Sequence, residues 1–423
     1  GEMKLLFVLY TIISITLSQR IFRVGCVYNS IGRNAPSGLL LRNSYEMWRD
    51  NVNARGGLRV KNESYTVELV FGGIDGTPIS AQNATEYLAD NYDLNYIFLP
   101  FSTALSIPAA IVAHDRGINS IYVATNSLSA YICMDDQAYP CAQPFGRRFP
   151  LSTSVSYPLS KVVSDAMNLL KFNGAKTAAI FFLDITWGRD VVDGVRRVAN
   201  LADVDLLYSG GVPFTTNQTL VRERLTHFIE TVRPMKPDII IGAVFFSCQT
   251  FMKLAKELDF NAKAYLMLLP CFLDFIDDKP EEGKYVIGSG GFWDPNLKGE
   301  EYDEDDAAIR YYHFLSQGNA TSPELFQNRY VERFGTPPNS WGILAYMAGI
   351  LTQYAVEKAN SLDPEDIRNA ANSVNIKGVG GPIQLDIYGR NVAQPVVTFQ
   401  LDDDYTPQIL IPLASVTKEL VYP

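Results

Sequence analysis

Ser102 and Thr103 are neighbouring hydroxyl residues in the stretch "LPFSTALSIPAAIVAHDRG". The apolar run before them, residues 96–99, reads as a strand, and Ile107, Ile111 and Val112 after them recur at helical spacing. Hydroxyls in that position share a helix mouth with backbone N–H groups that have no carbonyl partner and carry a partial positive charge. The chemistry on offer is anion capture: two hydroxyls and the first amides, that of Ala104 included, can hold a carboxylate without an arginine. A plain helix cap uses the same residue types. On this turn alone both readings stay open.

Residues suited to covalent or acid–base chemistry are sparse. The three histidines, His114, His227 and His313, fall in or near helical patterns, and none belongs to a His-Glu-X-X-His pair. There is no Gly-X-Ser-X-Gly elbow and no Walker-type loop. "IGSGGFWDP" is glycine-rich but lacks the Gly-X-Gly-X-X-Gly order. The acidic run "KGEEYDEDD" reads as a solvated surface loop. These features argue against an enzyme and imply no cofactor.

The chain has 423 residues, 47% of them apolar and 19% charged, enough to bury cores of more than one domain. A net charge of −10 disfavours nucleic acid as a partner. Met3 and Lys4 precede the apolar run "LLFVLYTIISITL", and Ser18, Gln19 and Arg20 follow it. That layout predicts a secretory signal peptide over residues 1–20 and an extracytoplasmic destination, periplasmic or cell-surface. The run is short for a bilayer span, and no later stretch is long and apolar enough for one. Cys133 and Cys141 bracket the polar loop "MDDQAYP", which predicts a local disulfide. Cys248 and Cys271 each follow a strand and are candidate neighbours, whereas Cys26 lies inside a strand as a buried thiol. Asn-X-Ser/Thr sequons at Asn62, Asn83, Asn217 and Asn319 would carry glycans in a eukaryotic host.

The elements that must position the turn come from the order of apolar runs. Strands are predicted over 21–28, 65–71, 96–99 and 118–124, with helices between them. After a polar break over 125–154 the rhythm restarts, with strands over 177–183, 204–210, 238–244 and 264–269 and helices near 159–172, 190–201, 220–232 and 250–258. Such alternation means parallel sheets with helices on both faces. Helices near 323–334, 341–358 and 364–373 and a β-like tail complete the chain.

Several stretches, in order, resemble the solute-binding proteins of amino-acid transport typified by the leucine/isoleucine/valine-binding protein. They are "GLLLRNSYEMWRDNVNARGG", "LPFSTALSIPAAIVAHDRGINSIYVATNS", "DITWGRD" and "GPIQLDIYGRNVAQPVVTFQL". The resemblance runs from Arg20 to about Asp404 and implies the type I periplasmic-binding-protein fold. That fold is α/β: two doubly wound parallel-sheet lobes joined by a three-crossing hinge, closing on a ligand. The expected division is 21–153 plus 291–390 for lobe 1 and 154–290 plus 391–423 for lobe 2.

The resemblance also implies roles for single residues. Ser102, Thr103 and Ala104 match the turn that takes the ligand's α-carboxylate. Ala124, Thr125 and Asn126 match a second turn, where a carbonyl and a side-chain oxygen take the α-ammonium. Trp187 and Phe245 fall at aromatic positions that cover the ligand from the second lobe, and Ser37 faces the cleft mouth. One departure stands out. Amino-acid binders of this kind place an acid just after the strand matching "AYLMLLP", but here none occurs until Asp274. An unpaired buried ammonium costs on the order of several kcal/mol. Either Asp274 or Asp184 substitutes, or the ligand is an apolar or aromatic acid without an ammonium. The implied partners are a small carboxylate ligand and either a membrane permease of ABC-type uptake or, for a receptor ectodomain, a transmembrane region.

Overall fold

The structure, a computed structural model, describes residues 20–32, 34–134, 139–245, 247–268, 271–294, 297 and 322–423. The acidic run, His313, Asn319 and nearly all of the signal segment lie outside the described residues.

The first sheet is built from β1 (Arg20–Asn29), α1 (Ala35–Ala54), β2 (Leu58–Val60), β3 (Glu63–Ile74), α2 (Pro78–Asn91), β4 (Tyr96–Phe98), α3 (Thr103–Asp115), β5 (Asn119–Tyr122) and β6 (Ser152–Ser154). Its strand order is β2-β3-β1-β4-β5-β6, parallel except for β2, which runs antiparallel to β3. Strand order reverses at β1, which lies between β3 and β4. Ligands of doubly wound sheets sit beyond the strand ends at such a reversal.

The second sheet follows through α4 (Leu159–Phe172), β7 (Thr177–Leu183), α5 (Thr186–Leu201), β8 (Asp205–Val212), α6 (Gln218–Val232), β9 (Ile239–Ala243), α7 (Cys248–Glu257), β10 (Ala264–Leu268), α8 (Leu273–Asp278) and β11 (Ile287–Ser289). The chain then returns to the first sheet with α9 (Ser322–Phe334), α10 (Ser340–Ala359), α11 (Pro364–Asn372) and a hairpin of β12 (Asn375–Gly378) and β13 (Gly381–Gln384). α10 is buried along most of its length and packs on α1 and α11. Two antiparallel strands, β14 (Thr398–Leu401) and β15 (Pro407–Ile411), finish the second sheet, whose order is β15-β14-β11-β10-β9-β7-β8.

Three passages of chain therefore join the sheets: after β6, after β11 and after β13. They are bonded to one another. The Gly291 N–H donates to the Tyr157 hydroxyl oxygen at 2.6 Å. Lys161 Nζ donates to the carbonyls of Val392 and Gln394. Asn391 Nδ2 donates to the Val155 carbonyl, and the Ser154 N–H to that of Gly389.

Several elements depart from the sequence expectation. α5 begins at Thr186 rather than near Asp190, and α7 at Cys248 rather than near Thr250, whereas α3 begins at Thr103, where the polar turn before it placed its start. The first turn of α5 carries Thr186 and Trp187, which line the cleft, so its apolar rhythm starts late. β6 and α8 were not expected at all. The sulfurs of Cys133 and Cys141 are paired, as are those of Cys248 and Cys271, with Cα separations of 5.6 and 5.7 Å, within the usual range for a disulfide. Cys26 is a free, buried thiol, and burial pushes its pKa well up, as befits an inert core residue.

Candidate functional site

The ends of β1, β4 and β5 face those of β7, β9 and β10 across a cavity of about 450 Å³. On the first-sheet side the wall is Asn34 before α1, the turn Phe101–Leu105, Ala124 and Asn126 after β5, and Trp341 at the start of α10. On the other side it is Ile185 to Trp187 after β7, Phe214 after β8, Phe245 after β9 and Leu268 at the end of β10. Tyr157, on the first passage, lies between them.

Ser102 stands at the N-cap position of α3, with extended backbone (φ −124°, ψ −168°), and its carbonyl accepts from the Leu105 and Ser106 N–H groups at 3.0 and 2.8 Å. Its side chain makes no cap hydrogen bond. The simple capping role is thus not the one its hydroxyl performs here. Thr103 is different. It is 3% exposed, and its Oγ1 donates to Ser127 Oγ at 3.1 Å. No acidic residue occupies the first turn of α3, so nothing there competes with an incoming anion for the helix end.

Ala124 and Asn126 reach the cavity; Thr125 between them does not line it. Thr125 is buried, its Oγ1 bonds Ser106 Oγ at 2.8 Å, and its carbonyl accepts from the Tyr131 hydroxyl. It fixes the two turns to each other. Asn126 Oδ1 accepts from Trp187 Nε1 at 3.2 Å, a bond from one sheet's turn to the other's helix. The Thr125 carbonyl and Asn126 Oδ1 thus each accept one hydrogen bond from within the protein.

The aromatic walls are built in pairs. Trp187 packs on Phe245 with centroids 4.9 Å apart, and Phe101 meets Trp341 edge-on at 5.0 Å. Trp187 is held by the close approach of α5 to β7: a Cβ at Gly188 would sit 1.8 Å from the Leu183 carbonyl oxygen. Gly38 plays the same part in the first lobe, where a Cβ would lie 2.0 Å from the Asn29 oxygen.

Ser37 lies in the first turn of α1 and does not line the cavity; Asn34, three residues earlier, does. Asp184 bonds Arg189 at 2.9 Å on an exposed edge and does not line the cavity. Asp274 belongs to α8, and its side chain lies outside the described residues. Asp75, beyond the end of β3, was missed by sequence reasoning and is the one acid among the described residues of the cavity wall. Hydrogen bonds from Ser80 and Thr77 hold its pKa down at about 2, so it is an anion at any physiological pH. Its Oδ1 accepts from the Thr77 N–H and hydroxyl at 2.9 and 2.7 Å. The signal was its place at a strand end, where the doubly wound fold puts its ligands. Phe101, Tyr157, Phe214 and Trp341 were also missed, because only the fold brings them together.

No cluster of three metal-ligating side chains occurs among the described residues. Nor is any described helix long and apolar enough to cross a membrane.

Residues 22–406 match the family described as periplasmic binding protein. The chain belongs to that family. A periplasmic binding protein captures a solute and is not an enzyme, in keeping with the shortage of catalytic groups. Solved structures share its fold. One is an ABC transporter substrate-binding protein from Desulfitobacterium hafniense in complex with Leu, 15% identical over 92% of this chain and 100% of that one, with a TM-score of 0.68. A solute-binding protein from Rhodopseudomonas palustris BisB5 holding 3,4-dihydroxybenzoic acid is 17% identical over 92% and 95%, with a TM-score of 0.68. Another from R. palustris, in complex with benzoate, is 14% identical over 95% and 98%, with a TM-score of 0.66. This binding protein thus shares two lobes and a cleft with captors of both an amino acid and aromatic acids.

Proposed function

We propose that this binding protein captures a small apolar or aromatic carboxylate outside the cytoplasm and delivers it to an ABC-type membrane permease. One observation carries the reading: Ser102 offers a hydroxyl free of any capping bond at the mouth of α3, facing walls of aromatic side chains. The carboxylate docks on Ser102 and the amides of Thr103 and Ala104, and its apolar body lies between Trp187, Phe245, Phe101 and Trp341. Thr103 and Thr125 serve as framework behind the turn. The relatives that hold benzoate and dihydroxybenzoate support the same ligand class. An amino acid is the alternative, with Asp75 as its ammonium partner. The lobes divide at 153/154, 290/291 and 390/391, and an N-terminal signal peptide and oxidised cysteine pairs accompany export.

Thermal-shift and calorimetric titration with benzoate, 3,4-dihydroxybenzoate, leucine and benzamide tests this. A ligand at 100 times its dissociation constant adds about 2.7 kcal/mol of apparent stability. The two acids are expected to stabilise the protein. Stabilisation by benzamide and not by benzoate would remove the carboxylate from the reading, and stabilisation by leucine alone would favour the amino-acid alternative.

A receptor ectodomain is a second reading, favoured by the exposure of three sequon asparagines, Asn62, Asn83 and Asn217. A mass loss on glycosidase treatment of protein from its native source would support it.

A further inference from the structure

Helix α5 touches the opposite lobe twice. Trp187 reaches Asn126 inside the cavity wall. One turn further on, outside the lining, Asp190 Oδ2 accepts from the Ser129 hydroxyl at 2.9 Å and from the Ser129 N–H at 3.4 Å. Residues three apart share a helix face, so both bonds form or break together as the lobes move.

We propose that Asp190 and Ser129 form a latch between the lobes, so that ligand affinity depends on a pair that does not touch the ligand. The geometry favours a latch over a static brace. Asp190 belongs to the second sheet's first helix after β7, and Ser129 to the turn after β5 of the first sheet. The first passage separates them along the chain and they belong to different lobes, so their contact depends on how the lobes sit. The pair is also built on the closing side. Arg148 Nη1 donates to the Ser129 carbonyl at 2.7 Å and fixes the turn. Burial pushes the Asp190 pKa up while the Ser129 and Ser127 donors oppose it, and Asp193 on the same helix adds to the rise.

Apparent affinity is the intrinsic affinity multiplied by the fraction of protein that is closed. A hydrogen bond to a charged group shifts such an equilibrium by about tenfold or more. Asp190 is therefore a positioning residue. It sets how often the cavity is assembled and leaves ligand preference alone.

The inference rests on clamshell closure, not on the identity of the ligand, and its test needs no ligand. Fluorophores at Tyr87→Cys and Leu201→Cys, both exposed and on opposite lobes, report the closed fraction of the ligand-free protein by single-molecule energy transfer. Asp190→Ala and Ser129→Ala are each expected to lower the closed-to-open ratio by about tenfold. The double variant should be no worse than the stronger single one. Asp190→Asn keeps an acceptor but loses the charge, and its closed-to-open ratio should fall between those of the parent protein and Asp190→Ala. A brace that only supports the fold would lower the melting temperature and leave the closed fraction unchanged. Equal closed fractions in the parent protein and Asp190→Ala would overturn the latch, whatever acid the cavity proves to bind.

Discussion

Ser106 Oγ bonds Thr125 Oγ1 at 2.8 Å, tying the first turn of α3 to the turn after β5. Through this pair, two strand ends that each contribute to the cavity are held as one rigid lip. The cavity-lining residues on it, Ser102, Ala104, Ala124 and Asn126, are presented by a frame whose own hydroxyls are already satisfied.

Ser102→Ala should weaken benzoate binding by about tenfold, since one charge-assisted hydrogen bond is worth roughly 1.5–3 kcal/mol. Its melting temperature should stay close to that of the parent protein, because its hydroxyl caps nothing. Thr103→Ala should do the reverse, as Thr103 is buried and bonded to Ser127. Calorimetric titration and thermal melts on both variants separate the two roles.

Asp75→Asn distinguishes the ligand classes by sign. Asp75 is an exposed anion on the cavity wall. Removing it should tighten benzoate binding, with a larger gain at low salt, because a like charge disappears. Weaker binding of leucine in the same variant would instead identify Asp75 as an ammonium partner.

Gly188→Ala should destabilise the protein by about 1–3 kcal/mol, the usual range for overpacking. The new Cβ would collide with the Leu183 carbonyl oxygen, which is backbone and cannot rotate away. Because Trp187 is the adjacent residue, ligand affinity should fall as well. Denaturant melts paired with titration would show both losses; an unchanged melt would mean that α5 is free to shift outward.

Glu357 gives the fold a pH dependence. Burial pushes its pKa up to about 7, although the Arg59 N–H donates to it at 3.2 Å. The unfolded carboxyl titrates near its ordinary value of about 4.3. Between these two pH values the folded chain holds the extra proton, so stability falls as pH rises through that window. Glu357→Gln removes this loss. The variant should gain in melting temperature over the parent protein at pH 8 and show little difference at pH 4.

The parallel sheets were legible because their strands are buried on both faces and read as apolar runs; Ile239–Ala243 is fully buried. β6 was not legible for the opposite reason. Ser152, Thr153 and Ser154 are all buried, yet none is apolar. Their hydroxyls are satisfied by Ser120, Tyr96 and Tyr131, at 2.7, 3.3 and 2.9 Å. A search for hydrophobic periodicity passes over a strand whose burial rests on hydroxyl pairing. The site divides along similar lines. Ser102, Asn126 and Trp187 sit in local stretches that resemble known turns, and they line the cavity together with Phe245. Asp75 and Trp341 sit in no such stretch. They reach the cleft because β3 ends beside β1 and because α10 packs on α1, relations set by tertiary structure.

The cross-bonded passages restrict how the molecule can move. With Tyr157 fastened to the Gly291 amide and Lys161 to the carbonyls of Val392 and Gln394, no single connector can flex while the others stay still. Twisting and sliding would shear these ties, whereas a swing about one axis strains them least. The lobe angle is thereby left as the one coordinate along which this cleft would open or shut.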